Sequence, residues 1–290
     1  MTSPPAPDAL SGRTLAVSVS QSPDLDRLAP SEEQLRLSLA RTARRVLEAG
    51  GHLAYGGHLG PDGYTSVLTA EAARHGRGDQ PLLVCLAWPQ HRGLPLSDLR
   101  ARLDLGTAGR VVCLDPAGRE TDPAAGRGEA AESVAPEVAR TSLTAMRRYL
   151  RARTDGRLLV GGRRADFQGE LPGLLEEALL SLAPGDDGTD ADHGGHGDPQ
   201  PLYLAAGFGG VTVDIVRALG IDDCAWLPGD PDAAPADPRL LAGLERLRAH
   251  AKAPRPSNGL SPEENRRLAA SHSPDEIAEL VVLGLGRLAD

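Results

Sequence analysis

The residues in this sequence that could do chemistry are glycines clustered beside hydroxyls, paired arginines and paired glutamates. Gly56-Gly57-His58-Leu59-Gly60, Gly161-Gly162-Arg163-Arg164 and Gly207-Phe208-Gly209-Gly210 form three glycine-rich turns. A residue without a Cβ lets its backbone N–H come close to an anion, and a helix opening after the turn adds a positive dipole end. Arg163 and Arg164 offer the forked donors that phosphate favours. Ser18 and Ser20 carry hydroxyls at alternating positions, and Gly169 lies between the arginines and the acidic pair Glu176-Glu177. Either glutamate can hold ribose hydroxyls or assist departure of a base; an acid in the first turn of a helix also pairs with the dipole and needs no ligand. Asp214 is a first-turn acid of the same kind. Tyr55 and Phe208 can stack on a base or pack in a core, and His58 can donate to a phosphate or face solvent. Tight turns require glycine in any case, so the weight lies in three of them sharing one sheet edge. None is a Walker A motif, because no Lys-Ser/Thr follows, and no strict GxGxxG is present.

Short apolar runs alternating with helix-length amphipathic segments must position these residues. Strands are expected at Thr14–Ser18, His52–Tyr55, Leu82–Ala87, Val111–Leu114, Arg157–Val160 and Leu202–Ala205. Ser31 with Gln34 reads as a capping box for a helix carrying Leu35, Leu39, Ala43, Val46 and Leu47 at helical spacing, ended by Gly50-Gly51. Further helices are expected to about His75, from about Pro136 to Arg153, at Leu174–Leu182 and at Val211–Leu219. From Pro238 onward the pattern is helical only, with starts at Ser261-Pro262 and Ser273-Pro274. Asp115–Glu132 reads as a surface loop. The alternation implies an α/β, Rossmann-like, doubly wound and mostly parallel sheet of about six strands with C-terminal helical additions. Such sheets bind ligands at the carboxyl ends of their strands, where the glycine turns fall. Residues 1–13 read as a flexible tail and 14–290 as one domain, with an acidic loop insertion at 185–198 and a helical part at 238–290.

Hydrophobic residues make up 40% of the 290 and charged residues 24%, which suits a globular chain and excludes wholesale disorder. A net charge of −9 argues against general nucleic-acid binding, and no apolar run reaches the length of a membrane span. No secretory signal is visible, and Cys85, Cys113 and Cys224 are odd in number and set in apolar segments, so buried free thiols and a cytoplasmic location are expected. Asp186, Asp187, Asp190, Asp192, His193 and His196 in the acidic insertion lack a calcium-loop pattern, and no metal is expected.

The segments GGHLAYGGHLGPDGYTSVL, GRLLVGGRRADFQGELPGLLEEALLSL, PLYLAAGFGG and NGLSPEENRRL together resemble the SLOG superfamily (the SMF/DprA and LOG-like Rossmannoid domains), and within it cluster 2. The resemblance runs from about Thr14 to Leu288. It implies a nucleotide or nucleotide-sugar ligand, such as ADP-ribose, a cyclic relative or NAD, with no further cofactor. It also implies a bacterial defence setting, a separate effector of TIR type and self-association, for which the apolar segment Ile277–Leu288 offers a helical surface. The LOG branch instead cleaves the N-glycosidic bond of nucleoside monophosphates through PGGxGTxxE. This chain has no copy of that motif, because the loop after Gly161-Gly162 is expanded, and Glu177 is the residue that would serve a hydrolase. Sensing of a nucleotide-derived ligand is therefore expected ahead of hydrolysis, with a non-binding interaction domain as the remaining alternative.

Overall fold

Leu15, Val17 and Val19 of β1 (Thr14–Ser20) enter one layer of the core, while the intervening Ala16 and Ser18 point the opposite way, as the two-residue period of a strand requires. The structure is a computed structural model describing residues 8–78, 80–182, 199–227, 229, 236–250 and 257–288. The sheet continues with β2 (His52–Gly56), β3 (Leu82–Leu86), β4 (Gly109–Cys113), β5 (Gly156–Gly161) and β6 (Leu202–Ala205). All neighbours are parallel, in the order β4-β3-β2-β1-β5-β6. The chain builds outward from β1 to β4, then returns through a helix to lay β5 against the free side of β1. The strand order therefore reverses between β1 and β5, the place where such sheets open a crevice.

Helices cover both faces. α1 (Glu32–Glu48), α2 (Tyr64–His75) and α10 (Pro274–Gly286) pack on the Leu15–Val17–Val19 side. α5 (Pro136–Arg151), α6 (Gly173–Leu182), α7 (Val211–Ala218) and α8 (Pro238–His250) cover the other, with α9 (Pro262–Ala270) against β6. The Ser31 hydroxyl caps α1 by accepting from Gln34 N, but the Gln34 side chain donates to the His272 carbonyl instead of closing the box. Gly50 ends this helix region with φ +81°, as a left-handed cap demands. Ser261 and Glu264 form a complete reciprocal box at α9.

Two features depart from the sequence expectation. Between β3 and β4 lie two further helices, α3 (Trp88–Arg92) and α4 (Leu96–Leu103), in a stretch with no assigned elements. The expected tail over residues 1–13 is packed from Asp8, with Leu10 fully buried and its N–H donated to Ala49 O. The Asp115–Glu132 segment is a largely exposed loop, as expected, and is pinned by Arg127, whose guanidinium donates to the carbonyls of His91, Leu94 and Ala130. The acidic insertion 185–198 lies outside the described residues.

Candidate functional site

The loops after β1, β5 and β6 meet at the switch point, and glycines let them meet. Gly161 and Gly162 adopt φ of +71° and +103°, and Gly209 and Gly210 adopt +74° and +71°, conformations that cost an ordinary side chain strain. A Cβ on Gly210 would lie 2.5 Å from the Gly161 carbon and the Gly162 oxygen, and one on Gly161 would lie 2.5 Å from Ser20 O. Gly162 N donates to Ser20 O, and Gly162 O accepts from Val211 N. These missing Cβ atoms thus admit neighbouring backbone first. Gly57 and Gly207 are similar, crowded by the Tyr55 ring and by Ser271 O.

A carboxylate binds this junction together. Asp24, 1% exposed, accepts from Gly210 N at 2.7 Å and from Arg164 Nη1 at 2.7 Å, and is also held by Arg27. Burial alone would raise its pKa, but the Gly210 N–H and the Arg164 guanidinium outweigh that and hold it below the ordinary aspartate value. Arg164 reaches across to Asp214 Oδ2 at 2.6 Å and to Gly210 O at 3.0 Å. Burial raises the pKa of Asp214, against the opposing pull of Arg164. Asp214, the first-turn acid of α7, is thus half of an ion pair.

Beside this junction an open cleft of about 650 Å³ runs between the loop after β1, the start of α1 and the loop after β5. Leu25, Leu28 and Pro30 give it an apolar wall; Gln21, Ser22 and Ser31 contribute polar groups. Arg163 and Arg164 line it together, but only Arg163 is exposed and without a hydrogen bond or ion pair among the described residues. Asp26, Glu32 and Asp166 bring negative charge to the same cleft. Asp166 sits at φ +54°, an uncommon conformation for a side-chain-bearing residue.

Other expected site residues lie elsewhere. Ser18 accepts from Arg157 Nη1 at 2.9 Å beneath the sheet surface. Glu176 accepts from Thr144 Oγ1 and from Arg147 Nη1, while Glu177 Oε2 lies 3.5 Å from Arg157 Nη1. Both glutamates are below 8% exposed, and neither lines the cleft. Gly169 packs against the Arg147 guanidinium. Within this network Glu177 Oε2, Arg147 Nε and Arg157 Nε have no hydrogen-bond partner. Phe208 is fully buried in the core, so its ring presents no face to the cleft. Gly56 ends β2 and Gly57 and His58 follow it, on the other side of β1 from β5; His58 Nδ1 accepts from Gly60 N, and His58 O accepts from the Thr65 hydroxyl.

Asp24, Arg147 and Arg157 were not among the expected site residues. Arg157 carried a readable signal, a charge inside an otherwise apolar strand, which can be buried only with a partner. Asp24 carried little, because an aspartate after Ser-Pro is ordinary loop composition.

Among the described residues no helix is long and apolar enough to cross a membrane, and no group of three or more histidine, cysteine, aspartate or glutamate side chains is placed to hold a metal ion. All three cysteines are buried and free. A family model described as SLOG cluster2 matches residues 9–268. No curated protein and no solved structure matched the chain.

Proposed function

The chain belongs to SLOG cluster 2, and from that premise we propose that it senses a nucleotide-derived ligand, a nucleotide or nucleotide sugar such as ADP-ribose, in the cleft between β1 and β5. The observation that carries the reading is the uncommitted Arg163 on the wall of a cleft at the point where strand order reverses. An exposed guanidinium there can take a ligand phosphate bidentately, while Asp26, Glu32 and Asp166 can accept from sugar hydroxyls. The apolar wall of Leu25, Leu28 and Pro30 suits the face of a base.

Sensing is favoured over N-glycoside cleavage by the fate of the paired glutamates. A hydrolase needs a carboxylate in reach of the developing charge on the ribose. Glu176 and Glu177 are instead drawn inward to Arg147 and Arg157. The family resemblance supports three further parts of the proposal: a bacterial defence setting, a separate effector of TIR type as partner, and self-association. The surface expected to mediate self-association at Ile277–Leu288 is largely spent, because α10 packs on α1 with Ile277, Val281 and Leu285 buried.

Calorimetry with ADP-ribose, cyclic ADP-ribose, NAD and AMP, followed by assay for released base or ribose phosphate, tests the reading. Binding without product release is expected. Release of base from any of the four would replace sensing with hydrolysis.

A further inference from the structure

The Asp24 carboxylate is seated against the glycine turns that follow β5 and β6. It takes the N–H of Gly210, the residue that opens α7, together with one arm of Arg164. A helix-opening N–H and a guanidinium are the donors a phosphate would seek. The seat is shaped for this side chain: a Cβ on Gly209 would lie 2.5 Å from the Asp24 Cβ. The segment bearing Asp24 is also a wall of the cleft, through Ser22, Leu25 and Leu28. A ligand that fills the cleft therefore touches the strap that holds the plug.

We propose, building on the reading of the cleft as a ligand site, that Asp24 is an internal anion which reserves Arg164 and the Gly210 N–H in the resting protein, and that an anionic ligand exchanges with it. A phosphate arriving at Arg164 meets Asp24 and Asp214 on the same guanidinium. Three anions cannot share one cation in a partly buried site without a large repulsive cost. Asp214 stands in the first turn of α7, whereas Asp24 stands at the start of a single 3-10 turn, Leu25–Arg27, between β1 and α1, so Asp24 is the group that yields. Arg27 closes that turn and is already paired with Asp24, so the two can move together. Displacement of the strap is then the conformational signal of occupancy, produced next to the start of α1.

Asp24→Asn tests the exchange, with inorganic pyrophosphate as the probe and Glu33→Gln as the control. Glu33 is an exposed first-turn acid of α1, next in the chain to the cleft and not part of its lining. Losing either carboxylate removes one negative charge; losing only Asp24 frees Arg164 and the Gly210 N–H from a bound anion. Calorimetry should show at least tenfold tighter pyrophosphate binding for Asp24→Asn than for the parent, and less than threefold for Glu33→Gln. Asp24→Ser, which also removes the charge, serves if the asparagine variant does not fold. Equal gains at Asp24 and Glu33 would overturn the proposal, since general charge would then explain them. No gain at Asp24 while the parent binds a nucleotide would sink the internal anion and leave the cleft reading intact. A gain at Asp24 with no nucleotide bound by the parent would do the reverse.

Discussion

Arg163 and Arg164 are adjacent in the chain and opposite in circumstance. Arg164 is clamped between Asp24 and Asp214, and Arg163 is exposed at the rim of the cleft with no partner among the described residues. Sequence makes them an equivalent pair; the fold gives one to structure and leaves the other for a ligand.

Arg163→Ala should therefore leave the denaturation midpoint unchanged, whereas Arg164→Ala should lower stability by about 3 kcal/mol, because it leaves the buried Asp24 with Arg27 alone and breaks the ion pair of Asp214. Urea titration of both variants checks this. Equal stability losses would show that the two arginines are not divided in this way.

The glycines at the junction should behave as packing residues. Gly210→Ala puts a Cβ 2.5 Å from the Gly161–Gly162 backbone at φ +71°, while Gly126→Ala meets only open space at φ +64°. The second change costs about 1–2 kcal/mol for the left-handed backbone, and the first should cost clearly more. Denaturant midpoints decide, and equal losses would contradict the packing role.

How far the sequence could be read follows from where its signals are local. β1 to β6 stand out because short, mostly apolar runs set between polar, Gly- and Pro-bearing segments have few alternatives, and Gly50 marks the end of the first helix region by its own backbone needs. α3 and α4 escaped because each is short, and α3 is anchored by Gln90 reaching back to Ala87 N rather than by a Ser or Asp cap. The three glycine turns were legible as turns, but their crowding by Ser20, Asp24 and Gly161 was not, since it arises between segments far apart in sequence. For the same reason nothing local revealed that Glu177 turns inward to Arg157.

Acid should report on Asp24. Its folded pKa is depressed, so its ionised form contributes stability in full above the unfolded value of about 3.9, and that contribution is lost as pH falls through the folded value. The stability gap between the parent and Asp24→Asn should thus narrow below about pH 4. Asp214 is raised by burial and carries the opposite sign, so the gap, not either curve alone, is the readout. A gap that is constant between about pH 3 and 7 would contradict the assignment.

The thiols should be inert. Burial pushes Cys85, Cys113 and Cys224 each up to about 12, which leaves almost no thiolate near neutrality. Iodoacetamide at about pH 8 should label none of them in the native protein and all three in urea. Rapid native labelling at any one would show that its segment opens.

The central claim is that an exposed guanidinium in the switch-point cleft receives the anionic group of a nucleotide-derived ligand. The most direct measurement is calorimetric titration of ADP-ribose and AMP into the parent and into Arg163→Ala, with melting curves of both proteins alongside. Binding to the parent that weakens by about 1.5–3 kcal/mol in the variant, at an unchanged melting temperature, is the predicted result. Equal affinity in the two proteins, or no binding of either ligand to the parent, would contradict it.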